Sequence, residues 1–406
     1  MKRFERKAQS QRKHGPPSVS AASKAPAAPP IHRPEWKGPG YVPKANRKPP
    51  PRPTPSSGPR VLEQLIPQEL QQLVLDIYRE TFPACNDFEE LKPALREIKD
   101  AVAQGNFEQA FGTEDKREKF TIRWSPSKAL ACSNILASVF NELKEEESVN
   151  LLKHGQDHRA INVLSFGQAP AGLMAFMALM KHQDFDLASN SPSPLSSDGN
   201  SESQCSHNSR WNIHLIHAVD WSHVISSLHQ SLTQPRPLSK YASAKARASN
   251  MPPLAHDALS WHFTQSDAVG CEAEALHDMM GSCPALITLL FTLGDMYSSS
   301  ISQASAFLRN LTASAPKGSL LVVVDDMKTY PEGQEEGLHL SELIYGALNP
   351  EERREEPRRE EDALEKSKAW EKLVEHDDNV FQIRKGLWFP VSLENIKYQI
   401  HVLKRL

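Results

Sequence analysis

Long hydrophobic runs are missing from this chain. No apolar stretch approaches the roughly 18 residues that a membrane-spanning helix requires, so we expect no membrane span. The first residues, Met1-Lys-Arg-Phe-Glu-Arg-Lys, lead into no apolar region of the kind that a secretory signal peptide carries. Hydrophobic residues make up only 39% of the 406 positions. That share is low for a fully globular chain, so part of the sequence is expected to lie outside the globular fold.

Cysteine is scarce and carries no recognisable spacing. The five cysteines are Cys85, Cys132, Cys205, Cys271 and Cys283. None of them forms a Cys-x-x-Cys pair, which argues against a zinc site and against a disulfide framework. Isolated cysteines of this kind fit a reducing compartment. We therefore expect no metal centre.

The usual glycine motifs for binding phosphates are absent, but a related pattern is present in residues 161–176. An apolar run, Ile161 to Phe166, leads into a loop of small residues from Gly167 to Gly172, and an apolar helical run follows from Leu173 to Met180. The spacing is Gly-x4-Gly, and no Lys-Ser/Thr follows it. A strand, a small-residue loop and a helix N-terminus with free N–H groups fit a nucleotide-like cofactor. An ordinary tight strand–helix turn explains the pattern equally well.

Positive charge is concentrated at one end of the chain. Residues 1–60 hold 14 Lys+Arg, 2 Asp+Glu and 14 of the 31 prolines, whereas residues 61–406 carry a net charge of −15. Such a segment cannot bury enough apolar surface to order itself, so we predict a disordered basic arm over residues 1–60. Clustered Lys/Arg favours nuclear or nucleolar targeting and RNA contact over a merely solubilising tail.

The rest of the chain divides into a helical segment and an alternation of strands and helices. Residues 61–150 predict a helical extension, with helices beginning after Pro67, spanning 89–103 and capped by Ser127. Residues 151–406 predict a second domain with insertions near 184–210, 233–257 and 331–375. Its predicted strands are 161–166, 213–220, 259–267, 285–292, 318–325 and 397–406. Alternating strands and helices predict an α/β fold with a mostly parallel sheet, and the last segment suits an antiparallel edge strand.

Polar residues follow the predicted strands at one edge of this sheet. Right-handed crossovers bring the carboxyl ends of parallel strands together, and ligands bind there in such folds. Gly167, Asp220, Asp267, the loop 292–297 and Asp325 should therefore gather. Asp220 could accept hydrogen bonds from ribose hydroxyls, and Asp267 from an adenine amino group. Each aspartate could instead cap the helix that follows it.

Two enzyme classes share this layout: Rossmann dehydrogenases and S-adenosylmethionine-dependent methyltransferases. The antiparallel strand predicted for residues 397–406 favours the methyltransferases, and no downstream segment suits the substrate domain of a dehydrogenase. The predicted fold class is thus a Rossmann-like class I methyltransferase.

Several segments, in order, resemble fungal large-subunit ribosomal RNA uridine-N(3) methyltransferases. They are Val61-Leu-Glu-Gln-Leu-Ile-Pro-Gln-Glu-Leu-Gln-Gln-Leu, Val163-Leu-Ser-Phe-Gly, Ala218-Val-Asp-Trp-Ser, Leu289-Leu-Phe-Thr-Leu-Gly-Asp-Met-Tyr297, Leu321-Val-Val-Val-Asp and Leu393-Glu-Asn-Ile-Lys-Tyr-Gln. The resemblance spans about residues 61–406. It implies S-adenosylmethionine as methyl donor, a uridine of large-subunit rRNA or a pre-ribosomal particle as partner, and residence in the nucleus and nucleolus.

The candidate site residues follow from this interpretation. The cofactor set comprises Gly167, Ala169, Gly172, Asp220, Asp267 and Phe291. Methylation at N3 requires loss of the N3 proton, and we assign Asp295 as the base and Tyr297 to stacking or orienting the uracil. Asp295 could instead cap a helix, and Tyr297 could be a core residue.

Two other functions remain open on the sequence. In the loop, Gln168-Ala-Pro-Ala-Gly172 is poor in glycine, which is compatible with a non-catalytic rRNA-binding assembly factor on an inherited fold. The second open function is a methyltransferase that acts on small molecules or on proteins.

Overall fold

The computed structural model describes residues 58–146, 160–190, 210–327, 339–350 and 368–406. The predicted basic arm lies outside the described residues except for its last three positions. Most of the predicted insertion at 184–210 and parts of that at 331–375 lie outside them as well. Residues 57–406 form one compact unit.

The predicted α/β architecture is confirmed as a single eight-stranded sheet. The strands are β1 (Arg60–Val61), β2 (Ile161–Phe166), β3 (Trp211–His217), β4 (Leu259–Gln265), β5 (Leu286–Leu290), β6 (Leu320–Asp325), β7 (Trp370–Phe381) and β8 (Ile396–Arg405). Their order across the sheet is β1-β7-β8-β6-β5-β2-β3-β4. Neighbouring strands are parallel except where β8 pairs with β6 and with β7. The strand order reverses between β2 and β5, so the sheet has a topological switch point there.

The C-terminal strand is antiparallel, as predicted, but its placement at the sheet edge was wrong. β8 lies between β6 and β7, and β7 begins inside the segment that was predicted to be an insertion. Hydrophobic alternation in β7 is broken: Val374 and Val380 are buried, but exposed acids separate them. Register shifts interrupt its pairing with β8. A strand whose side chains do not alternate cleanly escapes detection by period-two patterns.

Helices cover both faces of the sheet. They are α1 (Gln68–Thr81), α2 (Phe88–Ala103), α3 (Phe107–Phe111), α4 (Glu114–Glu142), α5 (Ala169–Asn190), α6 (Ser222–Thr233), α7 (Ala244–Ala248), α8 (Ala273–Met280), α9 (Leu293–Ser299), α10 (Ile301–Ser314) and α11 (Leu340–Leu348). Within the described ranges, no helix is both long and apolar enough to cross a membrane.

The start predicted for the third helix was wrong. α4 begins at Glu114, where the Thr113 side chain accepts a hydrogen bond from the Lys116 N–H. Ser127 lies buried inside this helix, and its hydroxyl accepts from the Glu394 N–H at 3.0 Å. Pro126 precedes it, and a proline disfavours a helix interior because it lacks an N–H. The sequence therefore suggested a boundary where the helix continues.

The glycine loop is also shorter than predicted. α5 begins at Ala169 rather than Leu173, so only Gly167 and Gln168 connect it to β2. Pro170 falls in the first helical turn, where a missing N–H costs little. α5 extends to Asn190, into the segment predicted as an insertion.

Alternate residues of the strands belong to two hydrophobic clusters, one on each face of the sheet. Val163 and Leu215 belong to the cluster that contains residues of α1, α2, α4, α5 and α6. Leu164 and Ile216 belong to the cluster that contains residues of α8, α9, α10 and α11. This alternation is what a pleated strand imposes. The helical segment predicted over 61–150 thus covers one face of the sheet and shares its core.

Candidate active site

The carboxyl ends of the parallel strands lie side by side, as predicted from the sequence. Phe166 at the end of β2 is paired with Ile216 of β3 and Leu289 of β5. In the neighbouring pairs, His217 of β3 is paired with Gln265 of β4, and Leu290 of β5 is paired with Val324 of β6. The residues that follow these strands therefore share one edge, and the switch point between β2 and β5 is its centre. Open α/β sheets bind ligands in the crevice at such a point.

The backbone at the switch point is tight and left-handed. Gly167 has φ 76°, Gln168 has φ 45°, and Phe291, directly after β5, has φ 51°. A Cβ on Gly167 would lie 2.6 Å from the Leu290 carbonyl oxygen and 2.8 Å from the Thr292 Cβ. Only glycine fits this position. Non-glycine residues with positive φ cost on the order of 1–3 kcal/mol and cluster at functional sites.

Ala169 and Gly172 occupy the first turn of α5 rather than a loop. Both are buried, and the Gly172 N–H donates to the Gln168 carbonyl oxygen at 2.7 Å. A Cβ on Gly172 would meet the Ser165 Oγ at 3.7 Å, which is ordinary van der Waals contact. The surroundings of Gly172 therefore do not demand glycine, unlike those of Gly167.

Asp220 lies between β3 and α6 and is held in place by the helix. Its Oδ1 accepts hydrogen bonds from the Ser222 N–H at 3.0 Å and the Ser222 hydroxyl at 2.5 Å. These two bonds, with the nearby Arg117 charge, lower the pKa of Asp220. The other oxygen, Oδ2, accepts no hydrogen bond from the described residues. Asp220 thus binds Ser222, the first residue of α6, with one oxygen and retains acceptor capacity on the other.

Two buried donors near Asp220 have no hydrogen-bond acceptor among the described residues. They are Arg117 Nε of α4 and Trp221 Nε1. The Trp221 ring packs against Phe111 and Phe120, with centroids 5.6 and 5.7 Å away. A buried donor without a partner is costly, so this end of β3 fits a ligand rich in acceptor atoms. Arg117 was missed at the level of the sequence, because the helix that carries it was predicted to start later.

Asp267 follows β4 and acts as a cap. Its Oδ1 accepts from the Val269 N–H at 3.2 Å, closing the short turn Ala268–Gly270. Nearby, the His217 Nδ1 accepts from the Val219 N–H at 2.9 Å. Burial lowers the pKa of His217 to about 4, so its imidazole is neutral at physiological pH.

Asp325 is a buried carboxylate on the other side of the switch point. Its Oδ2 accepts from the Gly294 N–H at 2.7 Å and its Oδ1 from the Asp326 N–H at 2.8 Å. Burial raises the pKa of Asp325 to about 6, against the lowering effect of these two bonds. Asp325 thereby fixes the loop after β5, which carries Gly294, to the end of β6.

Lys128 of α4 reaches the same loop and was not among the residues predicted for the site. Its Nζ lies 4.8 Å from the centroid of the Phe291 ring. Burial lowers the pKa of Lys128, while the charges of Asp326, Asp295 and Asp325 act in the opposite direction. No local motif marks this lysine, because its position depends on how α4 crosses the sheet edge.

The two residues assigned to catalysis lie in different environments. Asp295 is exposed in the first turn of α9. Tyr297 is only 2% exposed within the second cluster, and its hydroxyl donates to the Leu343 carbonyl oxygen at 3.1 Å. The structure thus gives Tyr297 the surroundings of a core residue, which do not favour stacking on a base.

The described residues also contain a group that could hold a metal ion, which the cysteine pattern did not indicate. Ligand atoms of Glu375, Asp377 and His401 lie within 4.8 Å of one another. These residues belong to the middle of β7 and β8 rather than to the edge described above.

Comparison with known proteins identifies a family of methyltransferases. The family described as "Putative SAM-dependent methyltransferase" matches residues 78–404. The 25S rRNA (uridine(2843)-N(3))-methyltransferase of Saccharomyces cerevisiae is 25% identical over 270 residues, which cover 66% of this chain and 67% of the yeast protein.

Comparison with solved structures also returns methyltransferases, at low identity and low TM-score. An O-methyltransferase family protein from Burkholderia thailandensis is 10% identical, with a TM-score of 0.34, over 81% of this chain and 71% of that protein. The 16S rRNA (adenine(1408)-N(1))-methyltransferase from Catenulisporales acidiphilia is 11% identical, with a TM-score of 0.29, over 63% of this chain and 93% of that protein.

The family match extends over most of the chain, from the end of α1 to the end of β8. It includes every strand that borders the switch point. The predicted Rossmann-like class I fold and the predicted cofactor, S-adenosylmethionine, are thereby confirmed. The chain belongs to the family of S-adenosylmethionine-dependent methyltransferases.

Proposed function

We propose that this protein methylates N3 of a uridine in large-subunit ribosomal RNA. The similarity to the yeast 25S rRNA (uridine(2843)-N(3))-methyltransferase over 66% of the chain carries the proposal. It implies large-subunit rRNA or a pre-ribosomal particle as the partner and the nucleus, with its nucleolus, as the place of action. The predicted basic arm, with a net charge of +12 over residues 1–60, suits an RNA partner.

The residues around the end of β3 fit the adenosine part of the cofactor. Asp220 has an ionised carboxylate with a spare oxygen, which can accept from ribose hydroxyls. Arg117 Nε and Trp221 Nε1 are buried donors that need acceptor atoms. The Gly167 turn and the N-terminus of α5 provide a close approach to backbone and free N–H groups. Ala169, Gly172, Asp267 and Phe291 complete the proposed cofactor set.

The acceptor end of the reaction lies on the β5 side of the switch point. When bound, S-adenosylmethionine supplies an electrophilic methyl group. Uracil N3 lies on the Watson–Crick edge, so the base must enter unpaired or flipped out of a helix. Its N3 proton must leave, and Asp295, exposed beside this loop, is the base proposed from the sequence. The burial of Tyr297 removes it from our proposed base-binding contacts.

Substitution of Asp220 tests the cofactor site directly. In Asp220→Asn the amide oxygen can still accept from the Ser222 N–H and hydroxyl, but the NH₂ group cannot accept from a ribose hydroxyl. Loss of a hydrogen bond to a charged group costs about 1.5–3 kcal/mol, so we expect calorimetry to show roughly 10- to 100-fold weaker cofactor binding. Asp257→Asn, at the opposite edge in a pair with Arg210, should bind as the wild type does.

Product analysis tests the substrate. Wild-type protein incubated with unmodified large-subunit rRNA and cofactor should form 3-methyluridine, detected by mass spectrometry of the digested RNA. Well-folded protein that fails to bind the cofactor would favour the alternative of a non-catalytic assembly factor. Cofactor binding without methylated rRNA would instead point to a small-molecule or protein substrate.

A further inference from the structure

Lys128 is a cationic side chain that α4 places next to the loop after β5, residues 291–294, which we call the acceptor loop. The turn of Gly167 and Gln168 is called the cofactor turn. The neighbouring Ser127 ties this part of α4 to the segment before β8, because its hydroxyl accepts a hydrogen bond from the Glu394 N–H. The Lys128 Nζ lies over the Phe291 ring at 4.8 Å. The residues on both sides of Phe291 contact the Gly167 turn, since atoms of Leu290 and Thr292 would lie closest to a Cβ on Gly167. The amine is therefore close to the point where the cofactor turn meets the acceptor loop.

The surroundings of Lys128 contain charged and titratable groups from three elements. Asp325 is the last residue of β6 and Asp326 follows it, Asp295 belongs to α9, and Cys132 lies one turn along α4. Burial raises the pKa of the Cys132 thiol to about 12, so the thiol is neutral. Burial dominates over the carboxylates and lowers the pKa of Lys128. A desolvated lysine beside a reaction centre can serve as a general base, because burial favours its neutral form over the ammonium.

We propose that Lys128 is the proton acceptor for methylation of the uracil ring nitrogen. This inference rests on the proposed function and deepens it. The lone pair of the neutral Nζ takes the N3 proton, and the electron pair left on N3 forms the new bond to the methyl carbon. The carbon–sulfur bond breaks, its electron pair stays on sulfur, and the resulting Lys128 ammonium returns its proton to solvent. Asp295, the base proposed from the sequence, then acts only through its charge on Lys128.

Three variants separate these roles in single-turnover methylation of rRNA across pH. Lys128→Met and Lys128→Arg should both slow the reaction by about 100-fold or more, the usual contribution of a general base, since neither side chain can accept the proton. Both should also lose the rise of rate with pH. Asp295→Asn should keep that rise and shift it to lower pH, because removal of a nearby negative charge lowers the pKa of Lys128. Lys144→Met, exposed just past α4, should match the wild type.

Cofactor binding and NMR supply readouts that do not depend on turnover. All four variants should bind the cofactor within about twofold of the wild type. In protein labelled with ¹³Cε-lysine, the resonance absent from Lys128→Arg should titrate below the ordinary lysine value of about 10.4. A midpoint at or above that value would overturn the proposal.

The kinetic outcomes also discriminate. Near wild-type rates in Lys128→Arg would show that a fixed positive charge suffices, and an unaffected Lys128→Met would remove the residue from the reaction. Loss of the pH-dependent rise in Asp295→Asn, with its retention in Lys128→Met, would return the base to Asp295. Wild-type protein that forms no 3-methyluridine would overturn both the proposed function and this inference, whereas an active wild type with active Lys128 variants overturns the inference alone.

Discussion

At the scale of single residues, the switch point depends on three left-handed backbone positions, and only one of them is glycine. Gln168 and Phe291 hold φ values of 45° and 51° despite their side chains. Such strain persists only where the surrounding structure fixes it. Here the Phe291 N–H donates to the Val324 carbonyl oxygen at 2.7 Å, and the Gly167 N–H to that of Ile216 at 3.3 Å. Strands on both sides thus hold the strained residues where the cofactor turn and acceptor loop meet.

Gly167→Ala should destabilise the protein strongly. The left-handed conformation costs an alanine about 1–2 kcal/mol, and a Cβ at 2.6 Å from the Leu290 carbonyl oxygen forces backbone to move. We expect a loss of more than about 2 kcal/mol in the free energy of unfolding, measured by urea denaturation.

Two other glycines serve as controls that distinguish the cost of a left-handed backbone from the cost of a steric clash. Gly105 has φ 70°, but a Cβ added there would meet no atom within 4 Å, so Gly105→Ala should show the conformational cost alone. Gly270 has neither constraint, so Gly270→Ala should leave stability within about 0.5 kcal/mol. If Gly167→Ala and Gly105→Ala lose the same free energy of unfolding, the clash at Gly167 would add nothing to the cost of the left-handed backbone.

At the scale of elements, the buried strands were predictable and the elements that cross or flank them were not. β2 and β6 are short apolar runs bounded by turn signals, and the sequence located both within two residues. The start predicted for α4 at Ser127 was wrong, although Thr113, followed by Glu114 and Asp115, is a typical helix start. β7 gave no comparable signal, since its buried residues do not alternate.

The same contrast applies to the site. Asp220, Asp267 and Asp325 could be predicted because topology alone brings strand ends together. Arg117 and Lys128 could not, because both lie on α4, and their proximity to the edge depends on the path of that helix. The burial of Tyr297 could not be predicted either, because a strand-end position does not say whether a side chain faces the crevice or the core.

The segment between α6 and β4 offers a basic surface at the opposite edge of the sheet. Lys245 and Arg247 are exposed on α7, and Tyr241 is 83% exposed with the Lys240 Nζ 5.0 Å from its ring. The carboxyl ends of the parallel strands, where the candidate site lies, form what we call the active edge. Because the strands are up to seven residues long there, the two edges lie roughly 20 Å apart. A substrate that contacts both edges must therefore be extended, as an RNA is.

Charge reversal tests whether this segment contacts RNA. Each lost phosphate contact reduces the slope of log affinity against log salt by about 0.9, so Lys245→Glu with Arg247→Glu should flatten the slope by up to about 1.8. Cofactor affinity should not change. The matched pair Arg96→Glu and Lys99→Glu, exposed on α2, serves as control. If both double variants retain the wild-type slope in filter-binding titrations, α7 does not lie on the RNA path.

At the scale of the whole molecule, the described parts of the sheet and of the helical segment before it share one hydrophobic core, so we expect them to unfold together. One continuous cluster joins α1, α2 and α4 to the face of the sheet, and β1 extends the sheet itself through parallel pairing with β7. A boundary near residue 150 therefore does not separate two cores. The free energy of unfolding of residues 57–406 should therefore change when a buried group at the active edge, such as Asp325, changes its charge.

Asp325 makes this stability depend on pH in a direction opposite to that of most carboxylates. Its folded pKa of about 6 exceeds the ordinary value of 3.8, so between these values the folded protein binds a proton that the unfolded chain has released. The contribution of Asp325 is therefore fully present below about pH 4 and is lost as pH rises through about 6. A shift of roughly two units corresponds to about 3 kcal/mol.

Asp325→Asn should remove this dependence. An asparagine can still accept from the Gly294 N–H but not also from the Asp326 N–H through its NH₂ group, which adds a cost that does not vary with pH. The variant should therefore gain up to about 3 kcal/mol relative to the wild type between pH 4 and pH 7. Urea denaturation at pH 4, 5, 6 and 7 measures this difference, with Asp278→Asn, exposed on α8, as control. Parallel stability curves for wild type and Asp325→Asn would show that Asp325 stays charged in the folded protein, and the field around Lys128 would then contain a permanent negative charge.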